Sequence, residues 1–112
     1  TLQAVNNHKI KSVLEKPGQS DLSSHVNFNL LKKIASKKNL YVSPLIYQQR
    51  FLLELGIKER LKSLTKNVRL PKAEKVTSEI KRLIDPDKMG TLFKVIAVTK
   101  NKRHLEGLNQ YA

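Results

Sequence analysis

The chain has 112 residues, no cysteine, and 22 Lys and Arg against 9 Asp and Glu, a formal net charge of +13. That length fits one small domain and is too short for a cofactor-binding α/β enzyme with a substrate lobe. Without cysteine there are no disulfides, thiolate nucleophiles or Cys-ligated zinc, which points to a reducing cytoplasm; 39% hydrophobic residues without a membrane-length apolar run point to the soluble class.

Taken in order, the chain opens on Thr1 and not on Met, as a processed or cloned chain or the back end of a longer product would. Residues 1–20 show no sustained period and contain the turn dipeptide Pro17-Gly18, so they read as a connecting loop with at most a short helical turn. Asn27 directly precedes a pattern with Leu30, Leu31, Ile34 and Ala35 on one face and Lys32, Lys33, Lys37 and Lys38 elsewhere. Asn is a preferred N-cap, and lysines in a last turn oppose the negative end of the helix dipole, so a helix is expected over 28–38.

Residues 40–46, LYVSPLI, are β-like, and Pro44 confines them to an edge, a bulge or a strand end. Residues 47–55 turn helical, Gly56 fits a C-cap, and 57–64 continue with Leu61 and Leu64 at helical spacing. After a break at 67–71, residues 72–84 place Val76, Ile80, Leu83 and Ile84 at i, i+4, i+7 and i+8, a narrow buried stripe on a charged helix that Asp85-Pro86 ends.

Residues 92–98 are apolar and rich in β-branched side chains (Val95, Ile96, Val98), which suits one strand covered on both faces. The rest of the chain supplies few neighbours for such a strand, so the chain reads as part of something larger. Alone, it is expected to be marginally stable or to oligomerise, as a homodimer for example. Residues 100–112 read as a polar, basic tail that frays or covers a surface.

The catalytic inventory is thin. Gly18, Gly56, Gly90 and Gly107 are scattered singly, so no glycine-rich loop exists to cradle a nucleotide-like cofactor. His8, His25 and His104 are far apart; Asp21 and His25 share an i, i+4 spacing, but the helix begins after them, so local hydrogen bonding outweighs metal ligation. The helix-Gly-helix over 48–64 superficially resembles a DNA-reading pair, yet its second segment, IKERLKSL, carries a Glu among its basic residues, so packing is preferred. The basic residues are mostly Lys and spread along the chain, which favours solvated lysines or an acidic protein partner over nucleic acid.

The blocks DLSSHVNFNLLKKIA, QQRFLLELGIKERLKSL and LIDPDKMGTLFKVIAVT, in that order, resemble the C-terminal third of the MidA-like family of S-adenosylmethionine-dependent methyltransferases; TLQAVNNHK and PGQSDL add to the likeness over residues 1–99. That family includes a protein-arginine methyltransferase linked to assembly of respiratory complex I.

The resemblance implies an α/β architecture: the C-terminal part of a class I, Rossmann-like fold, with helices around a short β pair whose last strand, 92–98, runs antiparallel. Residues 1–99 would then belong to the methyltransferase domain, with 47–84 a helical insertion on the substrate side. The family's glycine-rich cofactor loop lies in an N-terminal part outside this chain. S-adenosylmethionine is thus expected in the intact enzyme and not on this chain alone, which would need that part as its partner.

Asp21, His25, Gln48, Phe51, Gly56, Met89 and Gly90 match the family's pattern, and Asn27 stands where Asp is common. Asp21 is the candidate carboxylate for orienting a guanidinium, and His25 and Gln48 are candidate pocket residues. Two readings result: a C-terminal piece of a methyltransferase acting on arginine in a protein, inactive alone, or a small basic module for nucleic acid or an acidic protein surface. Membrane association and metal binding are not expected.

Overall fold

A computed structural model describes residues 2–7 and 9–108. It divides into two compact units, residues 1–33 and 34–112. Among the described residues are seven short strands and four helices.

The first unit corrects the loop expected over 1–20. Strand β1 (Gln3–Asn6) lies between β2 (Lys9–Lys11) and β3 (Asp21–Ser23), antiparallel to both, with Val5 opposite Ile10 on one side and Asp21 on the other. The signal overlooked was the Asn6-Asn7 pair. Asn7 adopts φ 51°, the left-handed conformation that Asn tolerates in tight hairpin turns. Asn6 Nδ2 donates to the Gln19 carbonyl at 2.9 Å and fastens the following loop to the hairpin. Ala4, at the middle strand, is the buried residue among those described in this unit.

Helix α1 (Phe28–Lys37) forms where its N-cap predicts, the Leu30 N–H donating to Asn27 Oδ1 at 3.0 Å. Its orientation is the reverse of the usual one. Ala35 is buried, whereas Leu30, Leu31 and Ile34 are 52%, 42% and 48% exposed. At 100° per residue these three share one face, so α1 turns its apolar stripe outward.

In the second unit, β4 (Tyr41–Val42) pairs with β7 (Val98–Thr99), and β5 (Ile46–Tyr47) with β6 (Lys94–Val95), all antiparallel. Tyr41 faces Thr99 and Val42 faces Val98, but Ile46 faces Val95 and Tyr47 faces Lys94. Residues 43–45 therefore stand opposite only 96 and 97, and the four short strands are one ribbon interrupted by a bulge.

Pro44 is the reason, since it has no N–H to give a ladder. The Ser43 N–H donates to the Ala97 carbonyl at 2.9 Å, and the Ala97 N–H donates back to Ser43 Oγ, not to a backbone oxygen, at 2.8 Å. Ser43 is buried, and its hydroxyl substitutes for a missing rung. The single strand expected over 92–98 is thus broken at Ile96 and Ala97, and Leu92 and Phe93 belong to the turn before it.

Three helices connect the halves of the ribbon: α2 (Gln48–Glu54), α3 (Ile57–Thr65) and α4 (Leu70–Ile84). Gly56, at φ 85°, ends α2 and opens α3 in a conformation costly for other residues. Pro71, expected in the break, sits instead in the first turn of α4, where its fixed φ suits a helix start. Val76, Ile80, Leu83 and Ile84 all lie on the half-buried side of α4, as their spacing predicts.

The turn after α4 is tightly bonded. Asp85 Oδ1 accepts from the Asp87 N–H at 2.9 Å, and the Gly90 N–H donates to the Asp85 carbonyl at 2.9 Å. A Cβ on Gly90 would lie 2.4 Å from the Ile84 carbonyl oxygen. In the polar tail, Gly107 and Leu108 are buried, Gly107 against Phe51 of α2 and Leu55 at its C-cap.

Candidate functional site

Asp21 and His25 both lie in the first unit. Asp21 opens β3 through its backbone pairing with Val5, and His25 lies in the irregular stretch between β3 and α1. Both are exposed, and among the described residues neither side chain makes a hydrogen bond or ion pair. Their i, i+4 spacing falls on extended and irregular chain, so no helix turn brings them onto a common face. Among the described residues no group of three or more His, Asp or Glu is placed to hold a metal. His8 lies outside the described residues.

Asp21 supplies a free carboxylate on a strand that the middle of a three-stranded sheet holds in place. Such a group accepts two or more hydrogen bonds and matches the fork of a guanidinium. It can position a cationic substrate, and His25, four residues further on, offers ring nitrogens for hydrogen bonding.

Gln48 lies in the second unit, where it does structural work. Its Nε2 donates to the Leu83 carbonyl at 2.9 Å and to the Met89 carbonyl at 3.5 Å. Leu83 is in the last turn of α4, where carbonyls lack helical partners, so Gln48 closes the C-terminal end of that helix. The Gln48 N–H donates to the Phe93 carbonyl and the Gln49 N–H to Gly90, at 3.0 and 2.8 Å. Sequence reading picked out Gln48, Met89 and Gly90 separately, and here they form one joint between α2, α4 and the ribbon.

Three of the glycines have structural roles in the second unit. A Cβ at Gly107 would come within 2.8 Å of the Phe51 ring, Gly90 lies against backbone carbonyls, and Gly56 serves a helix junction. Gly90 and Gly107 thus answer to the protein's own packing, and Gly56 to its left-handed backbone. No helix among the described residues is long and apolar enough to cross a membrane.

Residues 1–46 match a protein-family model described as "Putative S-adenosyl-L-methionine-dependent methyltransferase". The chain is 32% identical over 103 residues to Protein arginine methyltransferase NDUFAF7, mitochondrial, of Danio rerio, covering 92% of this chain and 24% of that protein. The Homo sapiens protein of the same name is 33% identical over 104 residues, covering 92% and 23%. A solved structure from Burkholderia thailandensis bound to S-adenosyl-homocysteine aligns with TM-score 0.79 and 25% identity, covering 99% of this chain and 29% of that one. A native structure from the same organism gives 0.78 and 25%, covering 99% and 30%.

The chain thus spans about a quarter of the length of the curated relatives it matches. The expectation of a cytoplasmic protein is corrected by those relatives, which are named mitochondrial. Absence of cysteine does not single out a compartment.

Proposed function

We propose that this chain, which belongs to the family of S-adenosyl-L-methionine-dependent methyltransferases, forms the substrate-side portion of an enzyme that methylates arginine in a protein. The observation that carries this reading is likeness over 92% of the chain to proteins named arginine methyltransferases, together with the free Asp21 carboxylate. The family resemblance connects the intact enzyme with assembly of respiratory complex I.

In this reading the cofactor is held by the part of the enzyme that the relatives carry outside the matched quarter, and the chain alone is inactive. Asp21 accepts hydrogen bonds from the substrate guanidinium and holds the attacking nitrogen in line, and it favours departure of the proton as the nitrogen becomes more cationic. His25 is a second candidate substrate contact of the first unit, and Gln48 braces the joint of α2, α4 and the ribbon within the second. The apolar stripe of α1, Leu30, Leu31 and Ile34, is the surface on which the remaining enzyme body packs.

The test is reconstitution. The 112-residue chain is mixed with the preceding portion of the Burkholderia thailandensis relative, and methyl transfer from labelled S-adenosylmethionine to protein arginine is measured. Transfer should appear only in the mixture and fall about a hundredfold in Asp21→Asn. Calorimetric binding of S-adenosylmethionine by the chain alone would overturn the assignment of the cofactor to the other portion.

A further inference from the structure

The α3–α4 pair carries a concentration of charge that nothing described so far uses. Residues 57–84 hold nine cations (Lys58, Arg60, Lys62, Lys66, Arg69, Lys72, Lys75, Lys81, Arg82) against three carboxylates (Glu59, Glu74, Glu79), a net +6 in 28 positions. Residues 1–56 carry eight cations and three carboxylates, a net +5 in twice the length. All nine cations of the pair are exposed, and among the described residues none is within ion-pair distance of a carboxylate.

A second observation concerns shape. Between the end of α3 and the outer side of α4 runs an open groove of about 700 Å³, with Val68, Leu70 and Ala73 along it. Leu70 is 75% exposed there. The charges within the groove cancel, Lys81 and Lys88 against Glu74 and Asp85. Lys66 and Arg69, by contrast, sit in the turn that flanks its apolar end without any carboxylate between them. Thr65 and Thr77 line the groove as well, their Oγ1 hydroxyls donating back to the Leu61 and Ala73 carbonyls at 2.9 and 2.8 Å.

We propose that this helical pair is a docking surface for an acidic polypeptide segment, whose apolar residues enter the groove at Val68, Leu70 and Ala73 while its carboxylates meet Lys62, Lys66, Arg69 and Lys72. Charge complementarity selects the occupant and speeds its encounter. Polypeptide is favoured over nucleic acid because residues 57–84 contain no aromatic side chain on which bases could stack, and because the groove offers apolar anchors that a phosphate backbone does not use. In a protein methyltransferase such a surface recruits the substrate at a distance from the reacting arginine. That role rests on the reading above, whereas the binding itself does not.

The experiment measures binding of the full chain to fluorescent poly-L-glutamate and to a glutamate–leucine copolymer by anisotropy, at low salt and again near physiological ionic strength. The combined Lys62→Ala, Lys66→Ala, Arg69→Ala, Lys72→Ala variant should bind poly-L-glutamate at least about tenfold more weakly, since four exposed charges each contribute a fraction of a kcal/mol. The variant Lys32→Ala, Lys33→Ala, Lys37→Ala, Lys38→Ala, on and just after α1, should stay within about twofold because these lysines lie outside the proposed surface and act only at long range, and the copolymer should outbind poly-L-glutamate except in Leu70→Asn.

Amide chemical-shift changes on the unaltered chain should fall on residues 65–81, which keeps the proposal testable if the quadruple variant does not fold. Equal weakening in both quadruple variants, shift changes centred on α1, or displacement of poly-L-glutamate by lower concentrations of single-stranded or duplex DNA would each overturn it. Binding that survives when methyl transfer fails would separate this surface from the enzymatic reading.

Discussion

Replacing Gly90 by Ala should unfold the joint between α2, α4 and the ribbon more severely than any other glycine substitution in the second unit. The added Cβ would lie 2.4 Å from the Ile84 carbonyl oxygen and 2.7 Å from that of Asp85. Contacts between carbon and oxygen of this kind settle near 3.3 Å, so roughly 0.9 Å must be found. Neither obstacle is a flexible side chain; both are backbone at the end of α4. Relief therefore moves the turn, and with it the Gly90 N–H bond to Asp85 and the Gln49 N–H bond to Gly90, at 2.9 and 2.8 Å.

Overpacking of this kind costs about 1–3 kcal/mol, and losing two backbone hydrogen bonds adds about 2, so a loss of about 3 kcal/mol or more is expected. Gly56→Ala is the control. Its Cβ meets only Glu59 Oε2 at 3.4 Å, and its cost is the left-handed backbone, about 1–2 kcal/mol. Urea denaturation followed by circular dichroism gives both values, and the Gly90 midpoint should fall well below the Gly56 one. A Gly90→Ala midpoint equal to or above that of Gly56→Ala would refute the packing argument.

Three further outcomes follow from named contacts. Ser43→Ala leaves the Ala97 N–H without its acceptor at the bulge and should cost about 1–3 kcal/mol, read by urea denaturation, with Ser43→Thr milder because the hydroxyl is kept. Asn27→Ala removes the α1 cap and should cost about 1 kcal/mol, while Asn27→Asp should leave helicity by circular dichroism unchanged, since either side chain supplies the accepting oxygen. Ile34→Asn, on the outward stripe of α1, should leave thermal stability of the isolated chain within about 0.5 kcal/mol yet reduce its self-association in sedimentation and its complementation by a relative's preceding portion.

Helices were the legible part of this sequence, because their signals are local. The Asn27 cap, the Gly56 junction, the i, i+4 stripe of Val76 and Ile80, and the Asp85-Pro86 stop each act within one turn of chain. Strands were harder. The Asn6-Asn7 hairpin lacks the glycine that usually marks such turns, and nothing in 92–98 alone announces a break, because the break is imposed by Pro44 half a chain away. Periodicity identified the apolar stripe of α1 correctly and could not say that it faces outward, since that depends on what the chain packs against.

For the site, Asp21, His25 and Gln48 are legible through family resemblance alone. The hydrogen bonds of Gln48 to Leu83 and Met89 join residues far apart in sequence and could be seen only in three dimensions.

The paired rung of Tyr47 and Lys94 also determines how the second unit can assemble. No tight turn lies between these residues, so the ribbon cannot zip from a local nucleus, and closing so long a loop carries an entropic cost that the first rung alone does not recover. Helices α2, α3 and α4 must pack first and bring the two ends together. During synthesis Tyr41 and Ile46 then wait, unpaired, until Val95 and Val98 have been made, and β4 and β5 are the segments most exposed to mispairing in that interval.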